Sequence, residues 1–321
     1  GGRGRRAGAR AGRGSGVGVN LGILSRKATL YSTRRLVDCA ARRGHRTLIL
    51  DPLRCSLTLS RGAPAVFYRG LDGMLPRLDV VLPRIGASIT AHGLAVVNQF
   101  DMMRVPLVNN SQPIARSRDK LRSLQLLAGA GLDIPRTVMV RDARQVHRAL
   151  ERVGGPPAIV KVIQGTQGIG VILAETEQAA QAILETFASL GMNILLQEFI
   201  EESEGRDIRA LVVGGRVITA MRRQARVGEF RSNVHRGGTG AAIDLPPEYQ
   251  DAALRATEVM GLQVAGVDLL ESATGPKVVE VNSSPGFEGL ERCSGVDIAG
   301  TIVDFSVTFA RRRPRALRGE R

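Results

Sequence analysis

The sequence predicts an open, parallel α/β domain followed by a larger region of the α+β class. Two observations support this prediction. From Val17 onward, a buried strand, a helix and a second buried strand follow one another, which is the order that builds a parallel sheet. Beyond residue 114, helices are mixed with strands that short turns connect, as is typical of α+β proteins. The 321 residues, 43% of them hydrophobic, suffice for about two domains.

The first domain is predicted to cover residues 17–113. VGVNLGIL and RTLILD read as its first two strands, and STRRLVDCAARRGH between them predicts a helix with Ser32 near the N-cap. Two further strands at 65–68 and 79–82 and a helix at 88–103 complete the domain. The strand–helix–strand start predicts that this sheet is parallel.

The α+β region is predicted to consist of two parts. In residues 114–191, a capped helix starts near Ser117 and ends at Gly129 and Gly131, and a strand, a second helix, two strands and a third helix follow. In residues 192–310, the strands NILLQEFI, RDIRALVV and RVITAMRRQ precede a polar loop, a helix and two final strands.

Most of the positive charge lies at the two ends of the chain. The 45 Lys and Arg residues exceed the 30 Asp and Glu residues by 15. Residues 1–16 carry five arginines and no acid, and residues 311–321 carry six arginines and one glutamate, which leaves +5 for residues 17–310. Both ends are predicted to be disordered tails, because such low-complexity segments cannot bury a core. Nucleic acid is expected to contact the protein through these tails at most.

The amino-acid composition excludes several classes of protein. No apolar run approaches the roughly 20 residues of a membrane-spanning helix, so we expect no membrane partner. The three cysteines lack paired spacing, which predicts neither disulfides nor a zinc site and fits a cytoplasmic location. Two other classes stay open: a nucleic-acid-binding protein that grips phosphate with its arginine tails, and a nicotinamide dehydrogenase. The second rests on GxGxxxG at residues 16–22, which lies inside a strand, whereas a dinucleotide fingerprint lies between strand and helix.

A glycine-rich loop follows a lysine in the central part of the chain. In AIVKVIQGTQGIGVILAE, Gly165, Gly168 and Gly170 lie between two strand-like runs, and Lys161 interrupts the first of them. Glycines let consecutive backbone N–H groups turn toward an anion, so the loop and Lys161 predict a phosphate site. The alternatives are a flexible hairpin connection and an ordinary edge-strand lysine. A Walker A motif is excluded because no Gly-Lys-Ser/Thr follows, and a protein kinase is disfavoured because HRD and DFG motifs are missing.

Carboxylates face each other on a hairpin near the end of the chain. In VAGVDLLESATGPKVVEVNSSPG, a hairpin symmetric about Thr274 places Asp268 opposite Glu280, and Asn282 shares the face of Glu280. Two opposed carboxylates repel each other unless a cation lies between them, and Asp, Glu and Asn supply the oxygen ligands that Mg²⁺ prefers. The sequence therefore predicts a metal site. The alternative is a solvated outer face, which the flanking apolar residues disfavour.

The lysine, the glycine-rich loop and the later D…E-x-N pattern together resemble the ATP-grasp family of carboxylate–amine ligases. Within it, ARSRDKLRS, GTQGIGV, FRSNVHRGG, VAGVD and EVNSSPG are similar, in this order, to segments of the RimK-type ligases, over roughly residues 17–310. The resemblance implies an ATP-grasp domain whose two α+β subdomains are residues 114–191 and 192–310. It also implies an ATP-dependent ligase that works through an acyl phosphate and adds glutamate to the C-terminus of ribosomal protein S-six. Ligation of another amino acid or of a small-molecule acid is the alternative within the family.

The resemblance also implies roles for individual residues. Lys120 and Lys161 match nucleotide-phosphate lysines, and the loop with Gly165, Gly168 and Gly170 matches a phosphate cover. Glu198 and Phe199 match the adenine hinge, where RimK-like sequences often carry Tyr in place of Phe199, and Asp207 matches a ribose contact. Arg231, Ser232 and Asn233 match a loop beside the nucleotide. Asp268, Glu280 and Asn282 match ligands of Mg²⁺ or Mn²⁺, with two ions expected.

Arg231 and Arg209 are the candidate catalytic residues, for the acyl phosphate and the oxyanion, each with an exposed salt bridge as the alternative. His235 is a further candidate, as acceptor of the amine proton. The expected partners are L-glutamate and the acidic C-terminal tail of a ribosomal protein, and the resemblance suggests a homo-oligomer.

Overall fold

The structure is a computed structural model that describes residues 18–163, 170–226 and 238–312. Several predictions therefore fall outside the described residues. They concern the first tail, nearly all of the second tail, Gly165, Gly168, Arg231, Ser232, Asn233 and His235.

The N-terminal unit contains the predicted parallel sheet. Its elements are β1 (Asn20–Leu24), α1 (Tyr31–Arg42), β2 (Arg46–Leu50), β3 (Cys55–Thr58), β4 (Ala65–Tyr68), β5 (Val80–Pro83) and α2 (Thr90–Met102). The strand order is β2–β1–β5, with both pairings parallel. β4 was predicted as a strand, but it pairs antiparallel with β3 in a separate two-stranded sheet.

Ser32 lies two residues after the N-cap of α1, so the prediction that it is near the cap is confirmed. α1 begins at Tyr31, so Ser32 lies inside the first turn, and the N-cap residue Leu30 makes no side-chain capping bond. The first residue of the helix makes a long-range contact, because the Tyr31 hydroxyl donates to Oε2 of Glu291 at 2.7 Å.

The helix predicted to start near Ser117 is two helices, α3 (Ser111–Arg118) and α4 (Lys120–Gly129). Asp119 separates them because its backbone is extended, and its carboxylate accepts the N–H of Arg122 at 3.0 Å. This is the side-chain cap that an aspartate provides at a helix start. α4 therefore begins at Lys120, one of the predicted phosphate-binding residues.

The central subdomain is a four-stranded antiparallel sheet with two helices. Its elements are β6 (Thr137–Val140), α5 (Val146–Val153), β7 (Ala158–Val162), β8 (Val171–Ala174), α6 (Glu177–Ser189) and β9 (Ile194–Glu198). The strand order is β6–β9–β7–β8. The predicted boundary between residues 191 and 192 needs correction, because β9 lies between β6 and β7 and shares their core. This subdomain therefore extends through Glu198.

The C-terminal subdomain is a five-stranded antiparallel sheet between helices. Its elements are β10 (Arg206–Val213), β11 (Arg216–Gln224), β12 (Thr239–Ile243), α7 (Pro247–Met260), β13 (Val264–Ser272), β14 (Gly275–Asn282), α8 (Glu288–Ser294) and α9 (Ile298–Arg312). The strand order is β12–β11–β10–β13–β14. The sequence predicted α7 and the other four strands; it missed β12 and both final helices.

The final helix joins two units through one core. On one face of the N-terminal sheet, Leu36 of α1 packs in the same cluster as Leu211 of β10, Phe287 and Ile302 of α9. A separate cluster with Phe100 of α2 covers the other face of that sheet. By contrast, the central subdomain has a core of its own, built from α5, α6 and its four strands.

Within the described residues, no single helix combines the length and apolarity of a membrane span, and only the bent pair α8 and α9 does so jointly.

Asn109 connects the N-terminal unit to the hairpin of the predicted metal site. Its amide nitrogen donates to the carbonyls of Val264 and Ser283 at 2.8 and 3.0 Å. Its amide oxygen accepts from the backbone N–H groups of Gln263 and Val264 at 2.6 and 3.0 Å. All four bonds are made by a side chain that is only 1% exposed, so their loss leaves backbone groups without partners.

Asn109→Ala is therefore expected to lower the free energy of unfolding by about 2–4 kcal/mol, as measured by urea denaturation. Asn110→Ala is the matched control, since the Asn110 side chain makes a single 3.4 Å bond to Asp101 and should cost less than about 1 kcal/mol. Equal losses in the two variants would contradict the role given to Asn109.

Candidate functional site

Lys120 and Lys161 lie near each other and near the carboxylate hairpin. Lys120 starts α4, and its Nζ donates to the carbonyl of Val162, the residue after Lys161 on β7, at 3.3 Å. The pKa of Lys161 is lowered to about 8, mainly by burial and in part by the Lys120 charge. Glu280 and Asp268 oppose it by favouring the charged form. The predicted phosphate-binding and metal-binding groups thus share one electrostatic environment.

Asp268 is the most enclosed carboxylate of the site. It is 6% exposed and lies on β13 directly opposite Arg209 of β10. Arg209 binds it with two parallel bonds, Nε to Oδ1 at 2.7 Å and Nη2 to Oδ2 at 2.6 Å. Burial alone would raise the pKa of Asp268, but Arg209 and Arg223 hold it below its usual range. The carboxylate is therefore ionised at neutral pH.

Arg223 links two of the predicted site residues and was missed in the sequence. Its guanidinium is bonded to the carboxylate of Asp207, with Nε at 2.6 Å from Oδ1, and its Nη2 lies 3.0 Å from Oδ2 of Asp268. Strand alternation could have revealed it, because two adjacent arginines on β11 must point to opposite faces. Arg222 is exposed and pairs with Glu271, whereas Arg223 is 5% exposed.

The hairpin brings together the three predicted metal ligands. Asp268 pairs with Glu280, and Asn282 pairs with Gly266 two positions along. Asp268 is buried, Asn282 is half-buried and Glu280 is exposed. A carboxylate has about four lone-pair positions, and Arg209 and Arg223 use three of those on Asp268, so one position is left for a cation. Two carboxylates and an amide are the hard oxygen donors that suit Mg²⁺, so these residues fit such an ion.

In the described ranges, no three side chains from the His, Cys, Asp and Glu types surround a common metal position. The three predicted ligands on the hairpin are consistent with this finding, because only two of them are carboxylates and the third is the amide of Asn282. Opposed carboxylates were predicted to need a cation between them. In the structure, arginines supply positive charge to Asp268, while Glu280 makes no ion pair with any described residue.

The predicted adenine hinge lies at the end of β9. The carboxylate of Glu198 accepts from the backbone N–H of Arg136 at 3.0 Å and from its guanidinium at 2.8 Å. Burial raises the pKa of Glu198, but the bonds from Arg136 outweigh this effect and lower it. The Glu198 side chain therefore fastens β9 to the start of β6. Phe199 follows directly and is half-buried.

Gly170 is the described glycine of the predicted phosphate loop. Its carbonyl accepts the N–H of Val162 at 2.8 Å, where the chain returns to β7. A Cβ added at this position would lie 2.9 Å from the Cβ of Val162, so close packing alone requires glycine here. Its contribution to phosphate binding stays a prediction.

Comparison with known proteins identifies two matching families. Residues 19–114 match the RimK pre-ATP-grasp domain, and residues 117–306 match the RimK-like ATP-grasp domain. A protein of Syntrophotalea carbinolica named probable alpha-L-glutamate ligase is 52% identical over 287 residues, which cover 89% of this chain and 95% of that protein. A protein of Pseudoalteromonas translucida with the same name is 50% identical over 302 residues, covering 94% and 100%.

Solved structures agree on the fold. The ATP-grasp ligase PsnB complexed with a minimal precursor superposes with a TM-score of 0.72 at 22% identity, over 91% of this chain and 98% of that one. A RimK domain ATP-grasp protein from Sphaerobacter thermophilus gives a TM-score of 0.68 at 26% identity, over 90% and 99%. The sequence-predicted fold class, an open parallel sheet followed by an ATP-grasp domain, is confirmed. The chain belongs to the RimK-like ATP-grasp family and is an ATP-dependent ligase that forms carbon–nitrogen bonds.

Proposed function

We propose that this ligase adds L-glutamate to the C-terminal carboxylate of an acidic peptide tail, and that the tail of ribosomal protein S-six is its first candidate acceptor. The observation that carries the proposal is the convergence of Lys120 and Lys161 with the Asp268–Glu280 hairpin. Phosphate-binding cations beside hard oxygen ligands are what phosphoryl transfer from ATP requires. The glutamate specificity rests on the relatives named probable alpha-L-glutamate ligase.

The proposed reaction has two steps. An oxygen of the acceptor carboxylate attacks the γ-phosphorus of ATP, the bond to the bridging oxygen of ADP breaks, and an acyl phosphate forms. The α-amine of glutamate then attacks the acyl carbon, phosphate leaves and the amine loses a proton. Both steps build negative charge, first on the phosphoryl group and then on an oxyanion, so fixed cations provide most of the stabilisation.

The described residues divide this work between them. Lys120 and Lys161 neutralise the nucleotide phosphates. Asp268, Glu280 and Asn282 would hold Mg²⁺, which when bound supplies further positive charge to those phosphates. Arg209 lies on the strand next to Asp268 and is fixed by its two bonds to that carboxylate. Its positive charge would stabilise the oxyanion. Arg231 beside the acyl phosphate, Mn²⁺ as a substitute and a count of two ions are parts of the same proposal.

A peptide acceptor is supported by two observations. The folded part of the chain carries a net +5, which favours association with an acidic tail. The solved neighbours include PsnB complexed with precursor peptide and a Chryseobacterium gregarium ligase in complex with a leader and core peptide.

A cytoplasmic location fits the three free thiols of Cys39, Cys55 and Cys293. A homo-oligomer stays a prediction, as do the tail at residues 1–16 and the boundary at residue 114. The second predicted tail, residues 311–321, needs correction at its start, because α9 continues to Arg312.

The test is mass spectrometry of products formed with ATP, Mg²⁺ and each amino acid in turn. We expect the acidic C-terminal peptide of ribosomal protein S-six to gain one or more glutamate residues. The same peptide with an amidated C-terminus should gain none, because it lacks the carboxylate to be activated. ADP release with a different amino acid, or with a small-molecule acid and no modified peptide, would overturn the substrate assignment.

A further inference from the structure

Two arginines outside the groups discussed so far meet at the carboxyl edge of the N-terminal sheet. Arg84 directly follows β5, and its backbone N–H donates to the carbonyl of Leu24 at the end of β1 at 2.9 Å. β1 lies between β2 and β5, so the chain turns to opposite sides of β1 after these strands. In open α/β sheets, ligands bind in the crevice at the carboxyl ends of the strands where the order reverses in this way. Arg84 occupies that position.

Each guanidinium is held by a single carbonyl. Arg118, the last residue of α3, donates from Nη2 to the carbonyl of Ile85, and its Nε is fully buried without a hydrogen-bond partner. Arg84 donates from Nη2 to the carbonyl of Pro285 at 2.5 Å and lies 5.7 Å from the ring centre of Phe287. Buried polar groups nearly always have partners, so the single carbonyl bond of Arg118 leaves hydrogen-bonding capacity of its guanidinium unused.

The charges around this pair point to an anion. Neither arginine forms an ion pair with an acidic side chain in the part of the chain that the structure describes. Burial, together with the neighbouring charge of Arg118, lowers the pKa of Arg84 to about 10. Burial likewise lowers the pKa of Arg118, and Glu280 opposes this. Two enclosed cations that repel each other are stabilised by an anion placed between them.

The geometry favours a carboxylate over a nucleotide phosphate. Lys120 and Lys161 already face the phosphate region from α4 and β7, whereas Arg84 extends from the N-terminal sheet. Pro285, which fixes Arg84, follows Asn282 by three residues, and Arg118 lies within the field of Glu280. The planar guanidinium fork matches a carboxylate with two parallel bonds. The pair is thus placed beside the predicted reacting centre.

We propose that Arg84 and Arg118 form a subsite that binds a non-reacting carboxylate of a substrate and holds it beside the reacting centre. This proposal rests on the proposed function, which supplies two substrates with such groups. One source is the incoming glutamate, through its α- or γ-carboxylate. The other is the acceptor peptide, through an acidic side chain near its C-terminus.

The experiment measures KM for glutamate, acceptor peptide and ATP in the full chain. Arg84→Gln and Arg118→Gln are each expected to raise KM for one carboxylate substrate by about 10- to 100-fold, with KM for ATP within twofold of wild type. The substrate affected identifies the source of the carboxylate. Arg84→Lys and Arg118→Lys should lie in between, since lysine keeps the charge but loses the fork.

The matched control is Arg46→Gln. Arg46 is exposed and starts β2. Its replacement therefore removes the same charge from the opposite edge of the same sheet. It should leave all three KM values unchanged. Unchanged KM for both carboxylate substrates in the two glutamine variants would overturn the subsite, and so would an equal rise in KM for ATP.

Substrate analogues test the subsite even if the glutamine variants fail to fold. The wild-type enzyme is compared on glutamine and on glutamate α-amide in place of glutamate, and on acceptor peptides whose acidic side chains are changed to Gln. For wild type, KM for one neutral analogue should exceed KM for the natural substrate by about the factor seen in the arginine-to-glutamine variants. In the lysine variants, the rise in KM on changing to that analogue should be smaller than in wild type. Full activity on all neutral analogues would overturn the proposal. Failure of wild type to glutamylate any peptide would instead overturn the proposed function.

Discussion

Asp268→Asn and Glu280→Gln are each expected to lower ligase turnover by about 10²–10³-fold, but only the first should also destabilise the fold. Both remove one negative charge from the predicted metal site. Glu280 is exposed and makes no ion pair with a described residue, so its replacement should change the free energy of unfolding by less than about 0.5 kcal/mol. Asp268 holds Arg209 and Arg223, and its loss leaves the enclosed Arg209 without its carboxylate and Arg223 with that of Asp207 alone.

Breaking a buried ion pair from one side costs about 3–5 kcal/mol, so a loss of this size is expected for Asp268→Asn. The measurements are Mg²⁺-dependent ADP release in the presence of both substrates and urea denaturation of each variant. Normal turnover in Glu280→Gln would show that the hairpin is no metal site. Normal stability in Asp268→Asn would contradict the energetic role of the arginine contacts.

Lys161→Met is expected to weaken ATP binding by about 10- to 100-fold and at the same time to stabilise the protein at pH 7. The pKa of Lys161 is about 8 in the folded protein, against 10.5 for an unperturbed lysine. Between these values the unfolded chain binds a proton that the folded chain does not, so the free energy of unfolding rises with pH from about 8 to 10.5. Below pH 8 the folded protein bears the full penalty of a charged, enclosed lysine.

Methionine removes that penalty. The gain should be roughly 1–2 kcal/mol at pH 7, less than the full pKa shift implies because the side chain is only half-buried, and it should vanish near pH 10.5. The difference in unfolding free energy between wild type and variant, measured by urea denaturation across pH 7–10.5, isolates this residue from other titrating groups. Calorimetric titration with ADP gives the second readout: wild-type affinity should fall as pH rises through 8, and the variant's should not. A variant no more stable than wild type at pH 7 would refute the burial argument.

The carboxylate pair was predictable because it depends on local geometry. A hairpin symmetric about Thr274 places Asp268 opposite Glu280, and the register confirms this pairing. The turn itself is centred half a residue earlier, with Ser272 opposite Gly275. An extra residue at Val279, where the register shifts, restores the predicted alignment at Asp268. The pairing was therefore correct although the assumed turn was not.

The features that the sequence did not reveal depend on contacts between distant segments. Nothing local marks Asn109 as the residue that fastens residues 263–264 and 283, since an asparagine in a loop is ordinary. Arg84 and Arg118 become neighbours only when α3 packs beside the N-terminal sheet. β9 was assigned to the wrong subdomain because an antiparallel strand carries no signal for which sheet it joins. Asp119, by contrast, was visible as a helix cap and could have placed the start of α4.

The shared core between α1 and α9 has a consequence for how the protein is made. Leu36, Cys39 and Ala40 of α1 face Ile302 and Val303 of α9, which the ribosome adds roughly 265 residues later. At about 5–20 residues per second, this interval is on the order of tens of seconds. During it, the first sheet to be synthesised has one apolar face open to water or to a chaperone. Translation must therefore run almost to the end of α9 before the N-terminal unit can close, and a nascent chain that stops short of Ile298 leaves that face exposed to aggregation and proteolysis.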